Sequence, residues 1–123
     1  MTTVSVRYIV NSVEAAIAFY RDQLGFDLLI HPAPGFAALS RGDLRLLLNQ
    51  PGAGGAGTAG GSPQPGGWNR IQLTFDDLNL VVAELREQGA TFRGDVVEGT
   101  GGRQILVEDP SGNPIELFQP SGP

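Results

Sequence analysis

The fold of this chain is decided by the stretch Gln104-Ile-Leu-Val-Glu-Asp-Pro-Ser-Gly-Asn-Pro-Ile-Glu-Leu-Phe-Gln119. Its centre, Asp109-Pro-Ser-Gly-Asn113, has strong turn chemistry, because proline presets φ and glycine or asparagine accepts a positive φ. Apolar residues on both sides predict a hairpin that joins strands at 105–107 and 115–118. Glu116 is the one acid in the second strand, and an unpaired carboxylate is costly to bury. We therefore expect Glu116 to have a partner.

The composition is that of a small acidic globular protein. The 123 residues are 41% hydrophobic and 17% charged, which predicts one domain or two half-domains that share a core. The formal net charge of -5 argues against partners such as nucleic acids and anionic membranes. It is compatible with a cationic ligand or with solubility alone. The first residues do not resemble a signal peptide and no apolar run is long enough to span a membrane, so we expect a cytoplasmic protein.

Several kinds of chemistry are excluded by the residues that the sequence lacks. It has no cysteine, which excludes disulfides, thiolate metal sites and thiol catalysis. All basic residues are arginine, so no lysine can form a Schiff base. His31 is the only histidine, stands before Pro32, and is interpreted as a surface or loop residue.

One order of elements occurs twice in the sequence. The first copy predicts a strand at 4–10, a helix from Asn11 or Ser12 to about Leu24, and strands near 26–31, 36–40 and 44–49. The second predicts a strand at 70–75, a helix capped by Asp76 or Asp77, and strands near 91–97, 103–107 and 115–118. The spacing from Ser12 to Gly25 equals that from Asp76 to Gly89. The sequence thus predicts an α+β protein in which a unit of one strand, one helix and three strands occurs twice.

Residues 51–67 are predicted to be a linker because they consist mostly of glycine and proline. This places an N-terminal module at 1–50 and a C-terminal module at 68–123. The linker contains Gly52-x-Gly54-x-x-Gly57, which nominally matches a dinucleotide-binding fingerprint. That fingerprint must open a helix, whereas further glycines, Pro63 and Pro65 follow here, so we favour the linker.

Three segments resemble the vicinal oxygen chelate superfamily, which includes glyoxalase I, bleomycin-resistance proteins and extradiol dioxygenases. They are Ala16-Ile-Ala-Phe-Tyr-Arg-Asp-Gln-Leu-Gly-Phe26, Phe75-Asp-Asp-Leu78 and Val107-Glu-Asp-Pro-Ser-Gly-Asn-Pro-Ile-Glu-Leu-Phe118. The resemblance implies two paired βαβββ modules that form a cupped mixed sheet, and a homodimer. The cup can form within one chain or between two chains.

Metal-dependent members of the superfamily hold a divalent ion with histidine or glutamate on four strands. The resemblance puts these positions at Ser5, near Leu46, at Arg70 and at Glu116, and only Glu116 is a metal-binding side chain. Since a divalent ion needs several nitrogen or oxygen ligands, we expect no metal and no other cofactor.

The resemblance also implies which residues face the pocket. We expect the inward set to be Ser5, Arg7, Leu44, Leu46, Leu48, Arg70, Gln72, Glu116 and Phe118, with Trp68 at the mouth. Our hypothesis is that a pair between Arg70 and Glu116 replaces the metal ion as the charge balance of the pocket. The alternative is that this pair is only structural.

These observations favour a protein that binds a small aromatic or planar molecule without metal chemistry. Bleomycin-resistance proteins sequester a drug in this way, so antibiotic resistance is an expected role. An alternative is a metal-dependent lyase, isomerase or dioxygenase whose metal ligands stand at other positions or come from a partner chain. A metal-free enzyme with Glu116 as base is disfavoured, because a carboxylate bound to arginine is a weak base. A third possibility is a structural or interaction dimer.

Overall fold

The computed structural model describes residues 4–53 and 60–122. The chain forms two compact units. The first comprises Met1–Gly66 and Pro110–Asn113, and the second comprises Gly67–Asp109 and Pro114–Pro123. Among the residues described, each unit has one sheet and one main helix.

The first unit has a four-stranded sheet in the order β1-β4-β3-β2. Its strands are β1 (Val4–Ile9), β2 (Asp27–Ala33), β3 (Phe36–Arg41) and β4 (Leu44–Asn49). β1 and β4 are parallel, whereas the other pairs are antiparallel. The crossover from β1 contains helix α1 (Val13–Ala18), which continues as a π-helical turn (Phe19–Gln23).

Helix α1 begins where the sequence predicts, and Ser12 is its cap. The Ser12 Oγ accepts a hydrogen bond of 3.1 Å from the backbone N–H of Ala15, which satisfies one free donor of the first turn. The chain leaves the helical segment at Gly25, whose φ of 76° favours glycine. The predicted apolar stripe of the segment is buried, with Val13, Ile17, Tyr20 and Leu24 each at most 5% exposed.

The second unit repeats this arrangement with an additional short strand. It contains β5 (Ile71–Thr74), α2 (Leu78–Glu87), β6 (Thr91–Phe92), β7 (Val97–Glu98), β8 (Gly102–Glu108) and β9 (Pro114–Pro120). The strand order is β5-β9-β8-β6, and β7 also pairs with β8. β5 and β9 are parallel. Asp77 caps α2 through a 3.1 Å bond from the N–H of Leu80, and Gly94 at φ 101° interrupts the single strand predicted at 91–97.

The α+β class with two βαβββ modules is therefore confirmed. The compact units differ from the modules predicted from the sequence. The turn Pro110–Asn113 belongs to the first unit, although the sequence placed it in the C-terminal module. Asn113 donates to the carbonyl of Ile9 and accepts from the N–H of Gly66, both at 2.8 Å. Ser111 accepts a 2.8 Å bond from the N–H of Asn11.

Part of the predicted linker 51–67 lies outside the described residues, namely 54–59 with Gly54 and Gly57 of the glycine pattern. The described parts of the linker, 51–53 and 60–67, contain no helix or strand. Within 4–53 and 60–122, no helix has the length and apolar character needed to cross a membrane.

Gly102 begins β8 at a point where the backbone leaves no room for a side chain. It pairs with Pro120 and has a φ of 153°. A Cβ at this position would overlap the carbonyl oxygen of Gln119 and lie 2.9 Å from the Cα of Pro120. The sheet can therefore accommodate only glycine here.

We expect Gly102→Ala to lower the free energy of unfolding by about 1–3 kcal/mol, because the added methyl must displace backbone. The measurement is urea denaturation followed by circular dichroism. Gly101→Ala is the control, since a Cβ on Gly101 meets no atom within 4 Å. Equal stability of the two variants would contradict the packing described for Gly102.

Candidate functional site

Side chains of the second sheet alternate between a face that packs on α2 and a helix-free face. Ile71, Leu73, Ile115 and Leu117 are at most 9% exposed and belong to the apolar core on the α2 side. The residues between them point to the opposite face. There Gln72 lies opposite Glu116, which in turn lies opposite Leu106, and Thr74 lies opposite Phe118.

Glu116 is buried on this face, at 8% exposure, and both of its carboxylate oxygens accept hydrogen bonds. Oε1 accepts from Arg70, whose Nε lies at 3.0 Å and Nη2 at 2.9 Å. Oε2 accepts a 2.6 Å bond from Nε2 of Gln72. Gln72 must turn its NH₂ group toward Glu116, because a carboxylate has only acceptors. The predicted Arg70–Glu116 pair thus forms, with Gln72 as a third member.

Arg70 is held in place from its other end as well. Its Nη1 donates a 3.3 Å bond to the backbone carbonyl of Trp68. The Arg70 side chain is 30% exposed and that of Glu116 is 11% exposed, so the ion pair lies at the margin of the core. Three donors on one carboxylate compensate for its removal from water.

Trp68 is an exposed aromatic residue with one covered face. It is 68% exposed, and the guanidinium of Arg93 lies 4.5 Å from the centroid of its ring. Arg93 is itself fixed by a 2.7 Å ion pair with Glu108 and a 2.7 Å bond to the carbonyl of Gly67. A cation stacked on indole and anchored on two sides holds the ring in one orientation.

In the first sheet, Ser5 and Arg7 share the helix-free face, as the sequence predicts. The parallel register places Ser5 opposite Arg45 and Arg7 opposite Leu47. Arg7 donates a 2.6 Å bond from Nη1 to Oδ1 of Asn49, which is on the same face and fully buried. The Nδ2 of Asn49 donates to the carbonyl of Ala53 at 3.2 Å, which fixes the orientation of the amide.

The prediction that Leu46 and Leu48 share this face with Ser5 and Arg7 is wrong. These leucines, and Leu44, lie opposite Val4, Val6 and Tyr8, whose side chains point the other way. Leu46 and Leu48 have no exposed surface and form part of the core. A shift of one residue moves every side chain to the other face. Arg45, Leu47 and Asn49 occupy the positions that we had assigned to the leucines.

A family model described as the Glyoxalase/Bleomycin resistance protein/Dioxygenase superfamily matches residues 3–117. The chain belongs to this superfamily. A superfamily member from Sphaerobacter thermophilus DSM 20745 is 26% identical, with a TM-score of 0.78 and 97% of each chain covered. TnmS3, an antibiotic binding protein from Streptomyces sp. CB03234, is 30% identical, with a TM-score of 0.74 and coverage of 98% of this chain and 97% of that one.

The lactoylglutathione lyase of Agrobacterium tumefaciens shares the fold, with a TM-score of 0.74. It is 18% identical and covers 96% of this chain and 92% of its own. No protein of curated function matches the sequence.

The residues at the superfamily's metal positions do not fit a divalent ion. They offer the hydroxyl of Ser5, the guanidinium of Arg70 and the carboxylate of Glu116, whose oxygens already accept bonds from Arg70 and Gln72. The strand position near Leu46 offers Arg45 or Leu47 on the relevant face. Within the described part of the chain, no three histidine, aspartate or glutamate residues are grouped as a metal site.

Sequence reasoning missed several residues on these faces. Leu106 of β8 shares the face of Glu116, as its register shows. A strict alternation from Glu116 through the hairpin would have identified it. The contact between Arg93 and Trp68 could not be predicted from the sequence, because neither residue belongs to a motif or to a regular apolar pattern.

We expect Arg70→Met to destabilise the protein by about 1–3 kcal/mol, because it leaves Oε1 of a buried carboxylate without its donor. The double variant Arg70→Met/Glu116→Gln should recover part of this loss, since it also removes the charge. The measurement is a double-mutant cycle by chemical denaturation, with Glu116→Gln as the second single variant. A coupling energy of zero would show that the ion pair contributes nothing to stability.

Proposed function

We propose that this protein binds and sequesters a small, planar organic molecule of the antibiotic type, without a metal ion at the superfamily's position. The main support for this proposal is the environment of Glu116, which is the only metal-binding side chain at the four positions that the resemblance assigns to a metal ion. Its Oε1 accepts a hydrogen bond from Nε of Arg70 and lies 2.9 Å from Nη2 of the same residue, and its Oε2 accepts a hydrogen bond from Gln72. A metal ion would have to displace these donors at the cost of an unpaired guanidinium.

The helix-free face of the second sheet supports an aromatic ligand. Phe118 and Leu106 are only partly buried there, and they are interspersed with the amides of Gln72 and Gln104. Trp68 adds an exposed ring that Arg93 holds in place. Apolar surface with a few oriented polar groups suits a ligand that is largely hydrophobic and makes few hydrogen bonds.

The comparison with TnmS3 supports the antibiotic class of ligand. The match extends over nearly all of both chains at 30% identity, and that relative is an antibiotic binding protein. The sequestration of a drug needs only binding and no reactive group.

The side chains of this chain favour binding over catalysis. Both carboxylate oxygens of Glu116 are engaged by Arg70 and Gln72, so neither is free to contact a substrate. His31, the other candidate base, lies exposed on β2. The chain contains no cysteine or lysine to serve as a nucleophile.

The test is a thermal-shift screen with two sets of compounds, planar aromatic antibiotics and the ions Ni²⁺, Zn²⁺ and Fe²⁺. We expect at least one organic compound to raise the melting temperature, with none of the ions doing so. Because Trp68 is the only tryptophan, its fluorescence reports binding of the same compound directly. Trp68→Ala should weaken that binding about two- to tenfold, the value of one aromatic contact.

Leu80→Ala is the matched control, since Leu80 is also a large exposed apolar residue of the second unit but lies on α2. Stabilisation by a divalent ion that disappears in Glu116→Gln would overturn the proposal in favour of a metal-dependent enzyme. No response to any compound would overturn it in favour of a structural protein.

We also propose that the protein is a homodimer, and that the first unit self-associates through β2. This strand is at the edge of its sheet, so one side of its backbone is available for pairing. Three consecutive apolar residues are exposed on it, Leu28 at 39%, Leu29 at 49% and Ile30 at 47%. A second copy of the chain could cover this apolar edge and use its free hydrogen-bonding groups.

We expect light scattering after size exclusion to give the mass of a dimer for the natural protein and of a monomer for Leu29→Lys. A lysine blocks such an edge because its charge would have to be buried in the interface. Leu80→Lys is the control, because it adds the same charge to an exposed apolar position on α2. A monomeric natural protein, or a Leu29→Lys variant that remains dimeric, would contradict the assignment.

A further inference from the structure

The side-chain amide of Gln72 is held by one hydrogen bond, which uses only its NH₂ group. Nε2 of Gln72 donates to Oε2 of Glu116 at 2.6 Å. Because a carboxylate has only acceptors, the amide cannot turn over without losing this bond. The orientation of the Gln72 carbonyl oxygen, Oε1, is therefore set by Glu116.

Oε1 of Gln72 accepts no hydrogen bond from the residues that the structure describes. Gln72 is also exposed, whereas its partner Glu116 is buried. An amide oxygen has two lone pairs and is a good acceptor. The buried carboxylate thus holds an exposed residue in an orientation that leaves its acceptor available.

The glutamates on the strands of this face do not offer an unpaired charge. Both oxygens of Glu116 are engaged by Arg70 and Gln72. Glu108, the last residue of β8, forms a 2.7 Å ion pair with Arg93. A cationic group on these strands would therefore lose its hydration without gaining an unpaired carboxylate, which favours an uncharged donor.

The other polar side chains on this face are not fixed in the same way. Thr74 shares the face of Gln72 on β5, and Gln104 of β8 lies opposite Phe118. No hydrogen bond from a described residue orients the side chain of either one. Each would lose rotational freedom on binding a ligand, a cost that Gln72 does not incur because its amide is already ordered.

Apolar surface for a ring lies beside Gln72. Phe118 is opposite Thr74, which makes it the diagonal neighbour of Gln72 across β5 and β9, at a distance of about 7–8 Å. Phe118 is only partly buried. A planar ring that packs on Phe118 can therefore place a substituent at its edge against the amide of Gln72.

We propose that Oε1 of Gln72 accepts a hydrogen bond from an uncharged hydroxyl or N–H group of the ligand, and that Glu116 is the positioning residue for this acceptor. The inference rests on the proposed binding of a planar organic molecule and specifies one group that the molecule carries. Glu116 contributes to recognition without touching the ligand, through the amide that it orients.

The test is equilibrium dialysis at neutral pH with 2-naphthol and 2-methoxynaphthalene. Both probes have the same ring and an oxygen acceptor, but only 2-naphthol has a donor. We expect 2-naphthol to bind about three- to tenfold more tightly, the value of one neutral hydrogen bond. Gln72→Met keeps the length of the side chain but removes the amide, so this variant should bind the two probes equally.

Glu116→Met tests the positioning role, because it leaves Gln72 in place but releases its amide. We expect this variant to lower the preference for 2-naphthol at least about twofold. A residue that only stabilises the fold would leave the ratio of the two affinities unchanged. If both variants unfold, the natural protein decides the question by nuclear magnetic resonance, since 2-naphthol should shift the NH₂ resonances of Gln72 more than those of Gln104.

The control is Gln88→Met, which makes the same substitution at the C-cap of α2 and should keep the preference for 2-naphthol. Equal affinity of the natural protein for the two probes, no binding of 2-naphthol, or an unchanged preference in Gln72→Met would overturn the inference. An unchanged preference in Glu116→Met would overturn the positioning role. These outcomes leave the proposed function standing as long as a compound of the thermal-shift screen binds.

Discussion

The carboxylate of Glu116 is the constraint on which the second unit depends, because a buried charge must be compensated where it lies. Parallel pairing of β5 with β9 places Gln72 directly beside it. Arg70, just before β5, reaches its other oxygen. The three side chains form a closed group in which the charge is balanced and both carboxylate oxygens are used. The positive charge in this group comes from Arg70, and Gln72 adds a neutral donor.

The arginines on the helix-free faces of the two sheets differ in their partners. On the second, Arg70 and Arg93 are each paired with a glutamate. On the first, Arg7 is held by a neutral amide and Arg45 is unpaired among the described residues.

Much of the architecture could be predicted because it depends on local chemistry. Ser12 and Asp77 cap their helices as short polar side chains do, and glycine ends each helical segment through a positive φ. The pairing of Arg70 with Glu116 followed from the superfamily's spacing. The faces of β4 could not be assigned, because Leu46, Leu47 and Leu48 are all apolar and show no alternation.

The sequence by itself determined the superfamily, the repeated βαβββ order and the need for a partner at Glu116, since these depend on residue types and spacing along the chain. Apart from the pair of Arg70 with Glu116, only the tertiary structure decided which side chains on these faces meet. The parallel register of β1 with β4 brings Arg45 beside Ser5, and Arg93 covers Trp68 from a distant segment. Such contacts join residues far apart in the chain, and their geometry is set by strand register, which a run of similar apolar residues leaves undefined.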